Sequence, residues 1–140
     1  MPNWISVWLQ FDNEEDCNKV WDGMQVGGAF SFTAVIPLPK TKEECPAEYI
    51  MKEGDLVCID ADQPWLNWYN WCIDNWGVKW DANEVQKSDV SIYFETPWDV
   101  PYPVLEAINK KFNVSFLMEA KDECDEQPNT TFSNKLYLKE

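Results

Sequence analysis

Residues 90–120 read VSIYFETPWDVPYPVLEAINKKFNVSFLMEA. Val90, Ile92 and Phe94 alternate with Ser91, Tyr93 and Glu95 as far as Thr96-Pro97, the two-residue period of a strand with one buried face. Val104, Leu105, Ile108 and Phe112 then recur at helical spacing, and Pro101 and Pro103 fit such a helix only in its first turn, where a missing N–H costs nothing. Val114, Phe116, Met118 and Ala120 return to a period of two. Strand, helix, strand in this order is one half of a split βαβ domain.

Upstream, Ile5, Val7, Leu9 and Phe11 alternate with Trp4, Ser6, Trp8 and Gln10, which predicts a first strand. Asp12 followed by Glu15 reads as a capping box, and Cys17, Val20, Trp21 and Met24 carry a helix to the Gly27-Gly28 break. Phe30, Phe32, Ala34 and Ile36 alternate with Ser31, Thr33 and Val35 up to Pro37-Leu38-Pro39, predicting a second strand. Residues 38–62 read as an inserted segment with a short apolar patch at 56–59. Asp62 and Pro64 open a helix in which Trp65, Trp68, Tyr69, Cys72, Ile73 and Trp76 form an aromatic face ending at Gly77.

The expected fold class is therefore α+β: a ferredoxin-like split βαβ domain with a four-stranded antiparallel sheet, two helices on one sheet face, and an aromatic helical insertion between strands 2 and 3. The domain spans residues 1–123, with the insertion at about 38–82. An acidic and polar tail follows at 124–140, where Leu136-Tyr137-Leu138 offers an added edge strand.

The segment from Trp68 to Ala82, WYNWCIDNWGVKWDA, resembles the signature of the YubB-type ferredoxin-like family of plasmid and phage proteins. Asn3-Trp4, Phe30-Ser31-Phe32 with Ile36-Pro37-Leu38-Pro39, and Thr96-Pro97-Trp98 before Pro103-Val104 resemble it in the same order, so that the likeness spans residues 1 to about 123. Val78 stands where that family usually has Thr. The resemblance implies a ferredoxin-like domain and a mobile-element origin, and it assigns an activity to no named residue.

Twenty-five Asp and Glu against eleven Lys and Arg give a formal charge of −14, which repels phosphate backbones and anionic membranes and favours basic partner surfaces. A 45% hydrophobic content with nine Trp, seven Phe and five Tyr argues for a packed core rather than disorder. Cys17, Cys45, Cys58, Cys72 and Cys124 form no CxxC pair and the chain has no His, so neither a metal site nor a cofactor is expected. No apolar run approaches the roughly 20 residues of a membrane span, and the opening Met1-Pro2-Asn3-Trp4 lacks the pattern of a signal peptide. Reduced thiols and a cytoplasmic location in a bacterial host follow as expectations.

Carboxylates cluster at Asp12, Glu14, Glu15 and Asp16, at Glu43, Glu44 and Glu48, and at Glu119, Asp122, Glu123, Asp125 and Glu126. The first and last of these groups, together with Trp71, which stands off the aromatic stripe, are the expected protein-binding residues. On a rigid scaffold such rows imitate the phosphate spacing of nucleic acid, so that the chain would occupy a basic groove in a host protein or protein–nucleic-acid complex, as an inhibitor of the anti-CRISPR or anti-restriction type. A competing reading is a single-stranded nucleic-acid module displaying Trp4, Trp8 and Tyr93 on the sheet, against which the first and third strands supply no Lys or Arg. An enzyme is the third reading; with no His and no glycine-rich phosphate loop, only paired carboxylates or Cys72 beside Asp74 offer chemistry, and catalysis is not expected.

Overall fold

The computed structural model describes residues 3–52, 64–122 and 131–136. Strand β1 (Trp4–Phe11) leads into helix α1 (Glu14–Gly23), followed by a small hairpin of β2 (Gln25–Val26) and β3 (Ala29–Phe30). After 3-10 turns at Phe32–Ala34 and Ala47–Tyr49 come α2 (Trp68–Trp76), β4 (Asn83–Lys87), β5 (Ser91–Pro97), α3 (Tyr102–Phe112), β6 (Phe116–Asp122) and β7 (Thr131–Leu136). The main sheet has five strands in the order β4-β5-β1-β6-β7, every neighbouring pair antiparallel. Its first four strands carry the split βαβ order, with β5 and β6 on either side of β1.

Several sequence expectations are corrected here. The second strand of the sheet is Asn83–Lys87, not residues 30–36, so the insertion falls between α1 and β4 rather than between the second and third sheet strands. The alternation at 30–36 is broken by local hydrogen bonding: Ser31 caps the turn by accepting from the Thr33 N–H, and the Asp81 carboxylate accepts from the Phe32 N–H at 2.8 Å. A serine oxygen and a carboxylate here offer the backbone an alternative to a strand ladder. Gly27 and Gly28, with φ of +59° and +87°, make the two-residue turn between β2 and β3 that such positive angles favour.

The cap of α1 is Asn13, whose Oδ1 accepts from the Asp16 N–H at 2.8 Å, one residue beyond the expected Asp12. A further correction concerns α2, which buries Trp71, Cys72 and Trp76 and exposes Tyr69 and Ile73, a rotation of the expected stripe. Trp71, expected at the surface, is only 5% exposed and packs edge-on against Trp76 with ring centroids 5.5 Å apart. Its neighbour Cys72 belonged to both helical stripes; the indole is the larger apolar group, and its burial decides the phase. The edge strand expected at 136–138 is found at Thr131–Leu136 beside β6, while Tyr137 and Leu138 lie outside the described residues, as do the patch at 56–59, Cys58 and Cys124.

One face of the sheet is the core. Ile5, Val7, Leu9 and Phe11, Ile92 and Phe94, and Phe116, Met118 and Ala120 are buried with Cys17 and Val20 of α1 and Val104, Leu105, Ile108 and Phe112 of α3. The insertion joins this same side: Phe32 meets Trp76 and Phe94 edge-on at 5.6 and 5.5 Å, and Trp76 Nε1 donates to the Ile36 carbonyl. Helix α2 ends at Gly77, where φ is +83° and a Cβ would lie 3.0 Å from Pro103 Cδ at the start of α3. Val78 is fully buried, so a methyl in place of a hydroxyl suits its surroundings.

Tyr49 ties the 3-10 turn at 47–49 to α2 by donating its hydroxyl to Asp74 at 2.8 Å. That bond, followed by burial, pushes the phenol from its ordinary 10 up to about 12. The folded state thus favours the neutral phenol. The associated stability is complete below pH 10 and is lost as the pH rises from 10 towards 12. Urea unfolding at pH 9 and pH 11.5 is expected to show a smaller pH-dependent loss for Tyr49→Phe than for the unmodified chain; equal losses would remove Tyr49 as a source.

Candidate binding face on the helix-free side of the sheet

Because side chains alternate along a strand, burying Ile5, Val7 and Leu9 obliges Trp4, Ser6 and Trp8 to face the other way. The same parity places Ser91, Tyr93 and Glu95 of β5 and Leu117, Glu119 and Lys121 of β6 on that second face, all half-buried. Among the described residues every helix lies on the opposite side. Helix α2 packs with the core.

Trp8 and Tyr93 are register partners in adjacent strands, with ring centroids 5.2 Å apart and planes at 48°. Across the other edge of β1, Trp8 stands opposite Glu119, and Ser6 stands between Glu95 and Lys121. The Tyr93 hydroxyl donates to Glu95 Oε2 at 2.6 Å, which leaves the Ser6 hydroxyl to donate to the Tyr93 oxygen at 3.2 Å. Burial, and then the bond to Glu95, raise the Tyr93 phenol above its usual range. The hydroxyl stays protonated and fixes the Glu95 carboxylate beside the ring. A cavity of about 460 Å³ opens here, lined by Trp8, Gln86, Lys87, Ser88, Ser91 and Tyr93.

The aromatic surface continues at the start of β1, where Trp4 and Trp80 lie 5.8 Å apart and the Lys79 ammonium sits 4.6 Å from the Trp80 ring centre. Nearby, Trp98 is 59% exposed with φ of +69°, and its N–H donates to the Asn3 carbonyl at 2.7 Å. A left-handed backbone at a bulky residue is rare. Hydrophobic periodicity alone gives no sign of its exposure.

The carboxylates expected to act together are divided. Asp12, Glu14 and Glu15 are exposed and Asp16 half-buried at the corner where β1 ends, the last three in the first turn of α1, where negative charge suits the helix dipole. Asp122 pairs in register with Ile5 near the other end of β1 and accepts from Asn3 Nδ2 at 2.7 Å. Six strand steps separate Ile5 from Phe11, about 20 Å. Glu119 lies between these ends, on the helix-free face, and Glu123, Asp125 and Glu126 lie outside the described residues. Trp71 joins none of these groups. Glu95 and Lys121 were missed by sequence reasoning although strand parity with Trp8 was enough to find them; Glu84 and Lys87 were missed because β4 was not recognised as a strand.

Residues 75–130 match the family model described as a ferredoxin-like domain in Api92-like protein. The match covers β4, β5, α3 and β6, three strands and a helix of the split βαβ order. The fold is ferredoxin-like. No curated protein and no solved structure matches the chain. Among the described residues no helix is long and apolar enough to cross a membrane.

Proposed function

We propose that this chain is a binding protein whose acidic, helix-free sheet face occupies a basic surface of a partner protein or protein–nucleic-acid complex. The observation that carries this reading is the Trp8–Tyr93 pair set among Glu95 and Glu119, on a chain of net charge −14. Aromatic rings supply contact area at small entropic cost, and surrounding carboxylates choose the sign of the partner. Part of the signature resembling YubB-type proteins is taken up by packing, with Trp76, Val78 and Asp81 holding the insertion together, while Lys79 and Trp80 extend the aromatic surface beside Trp4. Taken with the acidity, that resemblance supports a mobile-element accessory protein acting in the bacterial cytoplasm, blocking a host defence complex by covering its nucleic-acid groove.

The test is capture from host lysate with tagged protein at low and at high salt. A nuclease or other nucleic-acid-handling complex is expected at low salt and released near 0.5 M, since exposed charge pairs are screened there. Changing Glu95 and Glu119 to Lys is expected to weaken capture at least tenfold, the scale of losing about 1.4 kcal/mol of charge complementarity. Changing Glu14 and Glu15, at the far corner, is expected to have the smaller effect. Salt-resistant capture, or capture unchanged by the sheet variant, would sink the proposal. Retention of RNA alone would favour the single-strand reading, to which the Lys87, Ser88 and Ser91 lining of the cavity lends support.

A further inference from the structure

We infer that the cavity at the Trp8–Tyr93 pair is a site for an uncharged nucleobase, brought by a free nucleoside rather than by a phosphate-bearing strand. The inference goes beyond the basic-partner reading and does not rest on it. Trp8, Tyr93 and Gln86 form one row across three adjacent strands, Trp8 paired in register with Tyr93 and Tyr93 with Gln86. Register partners share a sheet face, so the exposed Gln86 amide stands beside the two rings. At the β4–β5 turn the Ser88 N–H donates to the Ser91 carbonyl at 2.9 Å, and the Ser88 and Ser91 hydroxyls bond to each other. One hydroxyl is the donor of that bond, and the other keeps its O–H for a ligand.

Charge decides what such a cavity takes. Among the described residues no carboxylate lines it, and its one charged residue, Lys87, pairs in register with the buried Ile92 and donates its ammonium to the Ser88 carbonyl at 3.1 Å. An incoming cation finds no counter-ion in the lining. Phosphates fare no better, because Glu95 and Glu119 stand on the same face of a chain with net charge −14. A neutral planar ring suits the lining. Trp8 and Tyr93 are half-buried and leave ring surface for stacking, which needs no charge. The Gln86 amide sets one donor group beside one acceptor, the pairing that matches the edge of a base such as adenine. A volume of about 460 Å³ lies within the range of small-ligand sites.

The experiment measures binding of adenosine, adenosine monophosphate, a short oligoadenylate and ribose to the whole chain by equilibrium dialysis, and locates it by NMR of the tryptophan indole N–H groups. Adenosine is expected to shift the Trp8 signal, identified by its absence in Trp8→Leu, and to bind several-fold more tightly than the monophosphate. Added salt is expected to narrow that gap by screening the repulsion. Trp8→Leu, checked for folding by circular dichroism, is expected to weaken adenosine binding roughly tenfold, the scale of losing a stacked base. Gln86→Ala, at an exposed position, is expected to weaken it several-fold. An unmoved Trp8 signal, ribose bound as tightly as adenosine, or adenosine binding unchanged in both variants would overturn the inference. So would an oligoadenylate that binds more tightly than adenosine and is released by salt. Failure of adenosine to bind leaves the basic-partner reading standing, since lysate capture with the Glu95 and Glu119 variants decides that; salt-resistant capture beside intact adenosine binding does the reverse.

Discussion

Replacing Phe32 by Ala is expected to destabilise the fold by about 3–5 kcal/mol, the range for truncating a fully buried aromatic. Phe32 has no exposed surface and bridges two layers: Trp76 of α2 on one side and Phe94 of β5 on the other, both edge-on. Nearby core rings cannot close the gap easily, because Trp76 is tied through Nε1 to the Ile36 carbonyl and Phe94 is fixed by the β5 ladder. The loss therefore combines transfer of the ring to water with a residual cavity and two edge-to-face contacts. In a domain of this size the melting temperature is expected to fall by on the order of 10–15 °C. Phe32→Leu, which refills most of the volume, is expected to recover more than half of it. A loss under about 1 kcal/mol for the alanine variant would mean that the insertion packs as a dispensable appendage rather than as part of the core.

Phe32 also shows where sequence reasoning succeeded and where it stopped. The three strands and two helices built on regular periodicity, β1, α1, β5, α3 and β6, were legible because each has one buried face whose period survives in the residue pattern. Residues 30–36 have the same period without the strand, since a distant carboxylate, Asp81, captures the Phe32 N–H, and no local pattern encodes a partner 49 residues away. Strand β4 failed for the opposite reason. Asn-Glu-Val-Gln-Lys has a single apolar residue, and it sits at a sheet edge where Glu84 has φ of +51° and the register with β5 shifts. Edge strands are held by their ladder and can be polar on both faces. The same logic governs the candidate site. Trp4, Trp8 and Tyr93 were legible as face residues from parity alone, but the side of the sheet on which α2 lies is set by the Trp76–Phe32–Phe94 contacts, which no local pattern encodes. A charge cluster in sequence is likewise no cluster in space when a strand of eight residues lies between its members.

Asp81→Ala is expected to cost about 2–3 kcal/mol, although it removes no apolar surface. Its Oδ1 accepts from the Phe32 and Ala82 N–H groups, each at 2.8 Å, and its Oδ2 accepts from the Ser31 hydroxyl. These bonds join the beginning of the insertion to its end, just before β4. Hydrogen bonds to a charged acceptor are among the stronger ones, and the alanine variant leaves the Phe32 N–H without its partner beside a buried ring. Asp81→Asn preserves an acceptor for the two N–H groups while turning an amide towards Ser31, whose hydroxyl is able to accept; its loss is expected to be about half as large. Ser31→Ala is expected to cost less in the Asp81→Ala background than in the unmodified chain, because the bond to Asp81 has already gone while the cap on the Thr33 N–H is lost in both, and a double-mutant cycle by urea denaturation is expected to give coupling of about 0.5–3 kcal/mol. Strict additivity of the two substitutions would show that Ser31 and Asp81 stabilise the fold independently. Coupling as expected would make Asp81 a staple for the insertion, fixing it directly after Trp80, which lies against Trp4 at the start of β1.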